Sequence, residues 1–153
     1  MKISGTAGDY NLGTLSDQVS LLREANDSFY RALESLDLAA MERVWSHEDW
    51  VRCVHPGQEA IVGWPDVRRS WEQIFANTRW IRVTPTAVSV QLLGPVAMVS
   101  CSESITSANE TDVGLAVAQA TNLYQHTPGG WRLVLHHASP APVQLTSPET
   151  GSA

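Results

Sequence analysis

The chain has 153 residues and carries sixteen Asp and Glu against ten Lys and Arg, which gives a formal net charge of -6. This length suits one domain with a single core, and scattered basic residues in an acidic chain argue against a nucleic-acid partner. No apolar run reaches the roughly 18 residues of a membrane span, and the N-terminus lacks the basic and apolar regions of a secretion signal. We therefore expect a cytoplasmic protein that does not bind a membrane.

Both ends of the sequence have too little apolar content to form a core. Residues 1–13 contain mainly Gly, Thr and Asn, and residues 141–153 are rich in Pro, Ser and Thr. Such segments cannot offset the entropy lost on ordering. We predict disordered tails at 1–13 and 141–153 and one domain over 14–140.

Two helices are predicted at the start of the domain. Between Ser16 and Leu36 apolar residues recur at helical spacing, which predicts a long amphipathic helix. Asp37 can cap a second, shorter helix that ends before the polar segment 46–49. The two helices should form a hairpin around Asp37.

The next stretch, Trp50 to Phe75, predicts two walls of a pocket. An extended segment ends at Pro56-Gly57, and a helix follows Gly63, with Pro65 suited to its first turn. Three tryptophans, a cysteine and a histidine give this stretch more aromatic surface than packing alone requires. We interpret it as two sides of a buried pocket.

From Ile81 onward the pattern changes to period two or to β-branched runs, which predicts four long strands at 81–93, 96–106, 113–126 and 131–139. Short turns between them indicate antiparallel hairpins. The order of elements predicts an α+β fold with the helices gathered on one side of a curved antiparallel sheet.

Several strings resemble the nuclear transport factor 2-like superfamily and, within it, the SnoaL-like group. They are FYRALESLDLAAMERVW, CVHPG followed by GWPDVRRSWEQIF, ATNLY, and GGWRLVLHHASP. The resemblance implies a cone-shaped α+β barrel with a pocket open at one end, and a homodimer formed through the outer face of the sheet. This superfamily includes dehydratases, isomerases, epoxide hydrolases, polyketide cyclases and members without known catalysis, so the fold does not give the function.

The last strand supplies the main catalytic candidate. Strict alternation places Trp131, Leu133, Leu135 and His137 on one face, and His136 on the other. Because the apolar face should point inward, we predict that His137 lies in the pocket, where an imidazole suits acid/base chemistry. If Thr127 to Gly130 close a hairpin, His126 lies opposite Trp131, Tyr124 opposite Leu133 and Asn122 opposite Leu135. Asn122 and Tyr124 would then share that inner face. The two adjacent histidines then point apart, so we expect no metal site.

Glu103 is the only acid well inside a predicted strand, and it either lines the cavity or faces solvent. The residues predicted to line the ligand site, each also explicable as ordinary core or loop packing, are Trp50, Cys53, His55, Trp64, Trp71, Asn122, Tyr124 and Trp131. Cys53 and Cys101 most simply are reduced core residues.

Two functions remain open on this sequence. The first is binding of a small apolar or aromatic molecule, with cofactor-independent isomerisation, dehydration or cyclisation by His137 and Glu103. The second is a non-catalytic module that senses a ligand or assembles as a dimer. A phosphate-binding Gly-rich loop and a G-x-S-x-G motif do not occur, nor can the carboxylate sets of epoxide-opening or ketosteroid-isomerising members be identified.

Overall fold

The computed structural model describes residues 13–143 of the chain, so the predicted tails fall almost wholly outside the described residues. Three helices pack on one six-stranded sheet. The elements in chain order are α1 (Leu15–Ser35), α2 (Leu38–Val44), β1 (Arg52–Val54), β2 (Ile61–Val62), α3 (Trp64–Ala76), β3 (Trp80–Leu93), β4 (Val96–Ala108), β5 (Val113–Thr127) and β6 (Gly130–Ala141). The predicted α+β class is confirmed.

Local chemistry fixes the ends of the helices, and the Asp37 cap and the position of Pro65 are as the sequence predicted. The Asp37 carboxylate accepts a hydrogen bond from the Ala40 backbone N–H at the start of α2. Pro65 lies in the first turn of α3, and Asp66 supplies a negative charge there. Leu36 adopts a left-handed conformation (φ 53°) and ends α1.

The sheet has the order β2-β1-β6-β5-β4-β3. The hairpins from β3 to β6 are antiparallel as predicted, whereas β1 pairs with β6 in parallel, so the sheet is mixed rather than wholly antiparallel. The two-residue strand β2 was not predicted. The sheet is curved and does not close on itself, and α1 lies against its concave face through Leu22, Phe29 and Leu33, all buried.

Two irregularities interrupt the ladders. On β3 the register with β4 shifts between Thr86 and Ser89, where Ala87 has a positive φ of 50°. On β6 the register with β5 shifts at Val134, because Leu123 pairs with Leu135 while Tyr124 pairs with Leu133. An unpaired residue of this kind bends a strand and reverses which side chains face the core.

Candidate active site in the concave face

The bulge at Val134 corrects the main sequence prediction. Leu133 and Val134 are both buried in succession, and beyond them His136 is buried (3% exposed) while His137 is exposed. The prediction that His137 points inward is therefore wrong, and its neighbour takes the interior position. The predicted pairs His126 with Trp131 and Tyr124 with Leu133 do occur, but Asn122 pairs with His136 rather than with Leu135.

His136 belongs to a set of buried polar side chains that we call the inner polar cluster. It is assembled from α1 and from the inward faces of β4, β5 and β6, and consists of Asn26, Tyr30, Cys101, Glu103, Asn122, Tyr124 and His136. Each of these side chains is less than 5% exposed. The predicted inward orientations of Asn122 and Tyr124 are thus observed, and Glu103, for which the sequence left both orientations open, also points inward.

A directed chain of hydrogen bonds joins His136 to Glu103. Asn122 Nδ2 donates to Asn26 Oδ1 (2.9 Å) and to the Tyr30 hydroxyl (3.3 Å), and Tyr30 in turn donates to Glu103 Oε2 (2.6 Å). Since the amide nitrogen of Asn122 donates, its Oδ1 is the acceptor 2.6 Å from His136 Nδ1. This pattern assigns the proton to Nδ1 and leaves the lone pair on Nε2.

Burial shifts the pKa values of His136 and Glu103, the two ends of this chain of hydrogen bonds, in opposite directions. It lowers the pKa of His136 to about 3, with smaller contributions from His55 and His137, so the ring is neutral at ordinary pH. Burial also raises the pKa of Glu103, although the hydrogen bond from Tyr30 opposes that change. Both shifts favour the uncharged form, so the chain of hydrogen bonds has a neutral imidazole at one end and a carboxyl group with a raised pKa at the other.

The neighbouring hydroxyl and thiol groups stay protonated. Burial, followed by the charge of Glu103, raises the pKa of Tyr30, and burial likewise raises the pKa of Tyr124. The pKa values of Cys53 and Cys101 are also raised, mainly by burial. Because the thiolate is the reactive form of cysteine, neither thiol is suited to nucleophilic attack.

His55 and Trp71 form a second buried group beside His136. Ser70 Oγ donates to the Val67 carbonyl (2.7 Å), so it accepts from His55 Nε2 at 3.0 Å. Burial lowers the pKa of His55 to about 4. The Trp71 ring lies 4.7 Å from the His55 ring and 6.0 Å from the His136 ring, measured between centroids. His55 and Trp71 therefore lie where the sequence placed them, facing the interior.

Three polar atoms in this region have no hydrogen bond within residues 13–143. They are the indole Nε1 of Trp71, the Nε2 of His136 and the Oε1 of Glu103. The Trp71 N–H is a buried donor without an acceptor, and the other two atoms are available acceptors. An unmatched buried donor is costly, so the Trp71 N–H is suited to contact an acceptor of a bound molecule.

Three of the other predicted lining residues are exposed or contact residues outside the inner polar cluster. Trp50 is 47% exposed. Trp64 stacks on His47 (4.4 Å between ring centroids), and Trp131 donates from Nε1 to Gln18 Oε1 (2.9 Å) at the far end of α1. Cys53 is buried and lies next to His55. In the described part of the chain, no three His, Cys, Asp or Glu side chains converge as metal ligands.

Sequence reasoning missed the contribution of α1. Asn26 and Tyr30 lie four residues apart on the same face as Leu22, Phe29 and Leu33, and all are buried. Two polar side chains at helical spacing within an apolar face were the available signal. The contacts of Tyr30 with Glu103 and of Asn26 with Asn122 and Tyr124 make α1 one wall of the site.

Three helices on a curved, mixed sheet with polar groups on its concave face define a nuclear transport factor 2-like domain. Within that class the chain belongs to the SnoaL-like family, whose domain matches residues 22–144. No helix among the described residues is long and apolar enough to cross a membrane.

Solved structures include two similar proteins above 30% identity. A candidate dehydratase of the NTF2-like family from Streptomyces avermitilis is 35% identical, with a TM-score of 0.80 over 85% of this chain and 100% of that one. A candidate calcium/calmodulin-dependent protein kinase type II association domain from Thiobacillus denitrificans is 33% identical, with a TM-score of 0.70 over 78% and 94% of the two chains.

Among curated proteins, the F-box protein SKIP8 of Arabidopsis thaliana is 27% identical over 114 residues. The match covers 74% of this chain and 47% of SKIP8. The chain thus spans about half the length of this curated relative.

Proposed function

We propose that this protein binds a small apolar or aromatic molecule against the inner polar cluster and performs cofactor-independent acid/base chemistry of the isomerase, dehydratase or cyclase type. The observation that carries the proposal is the buried chain from His136 through Asn122 and Tyr30 to Glu103. A core that served packing alone gains nothing from an acidic side chain at position 103, because burying a polar group is costly unless all its hydrogen bonds are satisfied, and burying a charge costs more.

In this proposal His136 replaces the exposed His137 as the group that removes a proton. Its Nδ1–H is held by Asn122, so the Nε2 lone pair is directed by a fixed hydrogen bond. Glu103, with its raised pKa, returns a proton to the product. The Trp71 N–H would donate to a carbonyl or hydroxyl oxygen of the ligand, and Cys53, His55 and Tyr124 would line the remaining surface. Trp50 is exposed, Trp64 stacks on His47 and Trp131 is bonded to Gln18, so these three are not part of the proposed ligand site.

Ligand entry requires the interior to open. Glu103 and His136 are each only 3% exposed, although the inward residues beside Glu103 on β5 are small, namely Ala118 and Ala120. On α3, Ile74 and Phe75 are partly buried and cover the core. An outward shift of α3 would uncover the side of the cluster that faces Trp71.

A compound screen with matched histidine variants tests this proposal. Flat polyketide-like and terpenoid compounds would be screened by thermal shift, since a ligand at 100 times its Kd stabilises a protein by about 2.7 kcal/mol. For a compound that is turned over, His136→Asn keeps a donor near Asn122 but removes the Nε2 base. It should lower kcat by roughly 10²-fold or more, whereas His137→Asn should leave kcat unchanged. Equal rates in the two variants would refute the assignment.

The alternative is a non-catalytic sensing or assembly module, and the closed interior favours it. The outer face of the sheet carries exposed apolar side chains at Met98, Val113 and Leu115. Such a face suits the homodimer that we propose for either function. Sedimentation analysis measures that dimer directly. A dimer that binds no compound of the screen would support the alternative.

A cytoplasmic location, consistent with two free cysteines, is part of the same proposal.

A further inference from the structure

A second cleft lies on the opposite side of α1 from the inner polar cluster. It is bounded by α1, α2 and the turn between β5 and β6, and its volume is about 610 Å³, which is in the usual range for small-molecule sites. On α1 the inner polar cluster uses Asn26 and Tyr30, whereas this cleft uses Ala25, Ser28 and Ala32. The helix therefore separates the two sites.

Three arginines line this cleft, which we call the arginine cleft: Arg31, Arg43 and Arg132. Within residues 13–143 none of them forms an ion pair. Of the arginines in the described residues only Arg68 and Arg69 on α3 form ion pairs, with Glu42, Glu72 and Asp66. The three cleft arginines are therefore distinguished by their position around one cavity. The whole chain has a net charge of -6. The three arginines nevertheless make the lining of this cleft locally positive.

Neutral acceptors hold two of these guanidinium groups in place. Arg132 Nη1 donates to the Arg43 carbonyl at 2.7 Å, at the end of α2, and Arg31 Nη2 donates to Ser28 Oγ at 3.0 Å. The Arg43 side chain makes no hydrogen bond in the described part of the chain. Positioned arginines with unused donors and uncompensated charge are well suited to bind a carboxylate.

The floor of the arginine cleft is apolar. Ala25, Ala32, Val44 and Trp131 contribute to it, and Trp131 is held by its hydrogen bond to Gln18. One acid, Glu24, also lines the cleft, so an anionic group is expected to bind nearer to Arg43 and Arg132 than to the α1 side. From the cavity, the unpaired arginines and this floor, we propose that the cleft binds an amphiphilic organic anion, a carboxylate attached to an aromatic or aliphatic group.

The test compares two ligands that differ only in charge. 4-Phenylbutyrate and its neutral amide, 4-phenylbutyramide, would be titrated into the ¹⁵N-labelled full chain, and amide shifts would be followed by NMR. The carboxylate should shift signals of residues 24–44 and 126–132, and the amide should bind about tenfold more weakly, because it lacks the charge that arginine recognises.

Matched variants then assign the site. Arg43→Gln should weaken 4-phenylbutyrate binding about three- to tenfold, whereas Arg69→Gln, which lies on α3 outside the cleft, should leave it unchanged. Equal binding of acid and amide would overturn the proposal, as would absence of binding by both. Shifts confined to the inner polar cluster, or an Arg43→Gln variant that binds like the wild type, would also overturn it.

Discussion

Acidification from about pH 7 to about pH 4.5 is expected to lower the free energy of unfolding by on the order of 3–5 kcal/mol through two buried histidines. The pKa values of His136 and His55 are lowered by burial to about 3 and about 4 in the folded protein, below an unfolded value of about 6.5. As the pH falls, the unfolded chain therefore binds protons first, and stability is lost between about pH 6.5 and pH 3. Glu103 opposes this loss in part, because its pKa is raised in the folded state.

Urea unfolding at a series of pH values measures this effect, with His136→Asn as the matched variant. Asparagine keeps a donor near Asn122 Oδ1 but does not titrate, so its fixed packing cost is the same at every pH. Between about pH 7 and pH 4.5 the wild type should lose roughly 2–3 kcal/mol more of its free energy of unfolding than the variant loses. Parallel stability curves for the two proteins would show that His136 does not titrate as described.

Replacement of Asn122 by Ala should destabilise the protein by roughly 3–5 kcal/mol. Asn122 is fully buried and joins His136, Asn26 and Tyr30. Its loss leaves the His136 Nδ1–H without an acceptor and removes a donor from the other two residues, and each unmatched buried group costs about 1–3 kcal/mol.

Thr121→Ala is the control for this substitution, because Thr121 precedes Asn122 on the same strand but is only half-buried and points to the other face. Chemical denaturation should give a small change, within about 0.5 kcal/mol, for the control. A similarly small change in Asn122→Ala would mean that the hydrogen-bonded chain contributes little to the folded state.

The order of elements was predictable because each element has its own periodicity. The apolar spacing of α1, the Asp37 cap and the long alternating strands each specify local structure that the final packing keeps. The parallel pairing of β1 with β6 was not predictable from local pattern, because a three-residue strand makes its partner choice through the tertiary fold.

The interior histidine could not be predicted from alternation, because one unpaired residue reverses the faces of a strand. The segment Leu133-Val134-Leu135 is apolar throughout, so it fits either face and conceals the bulge. Trp50, which was predicted to line the ligand site, is exposed. An aromatic residue at the end of an element can lie on the surface as well as in the core, and the sequence alone does not distinguish the two. Asn122 and Tyr124 lie on β5, where alternation predicted the correct face, and Glu103 lies on β4, where the sequence left both faces open.

The most direct test of the inner polar cluster is ¹⁵N NMR of the imidazole rings. Long-range ¹H–¹⁵N spectra distinguish the Nδ1–H and Nε2–H tautomers and the protonated ring of each histidine. The structure predicts that His136 is a neutral Nδ1–H tautomer that stays unprotonated at about pH 5. A His136 ring that protonates near pH 6.5, or a buried hydrogen-bonded ring at His137 instead, would contradict the account.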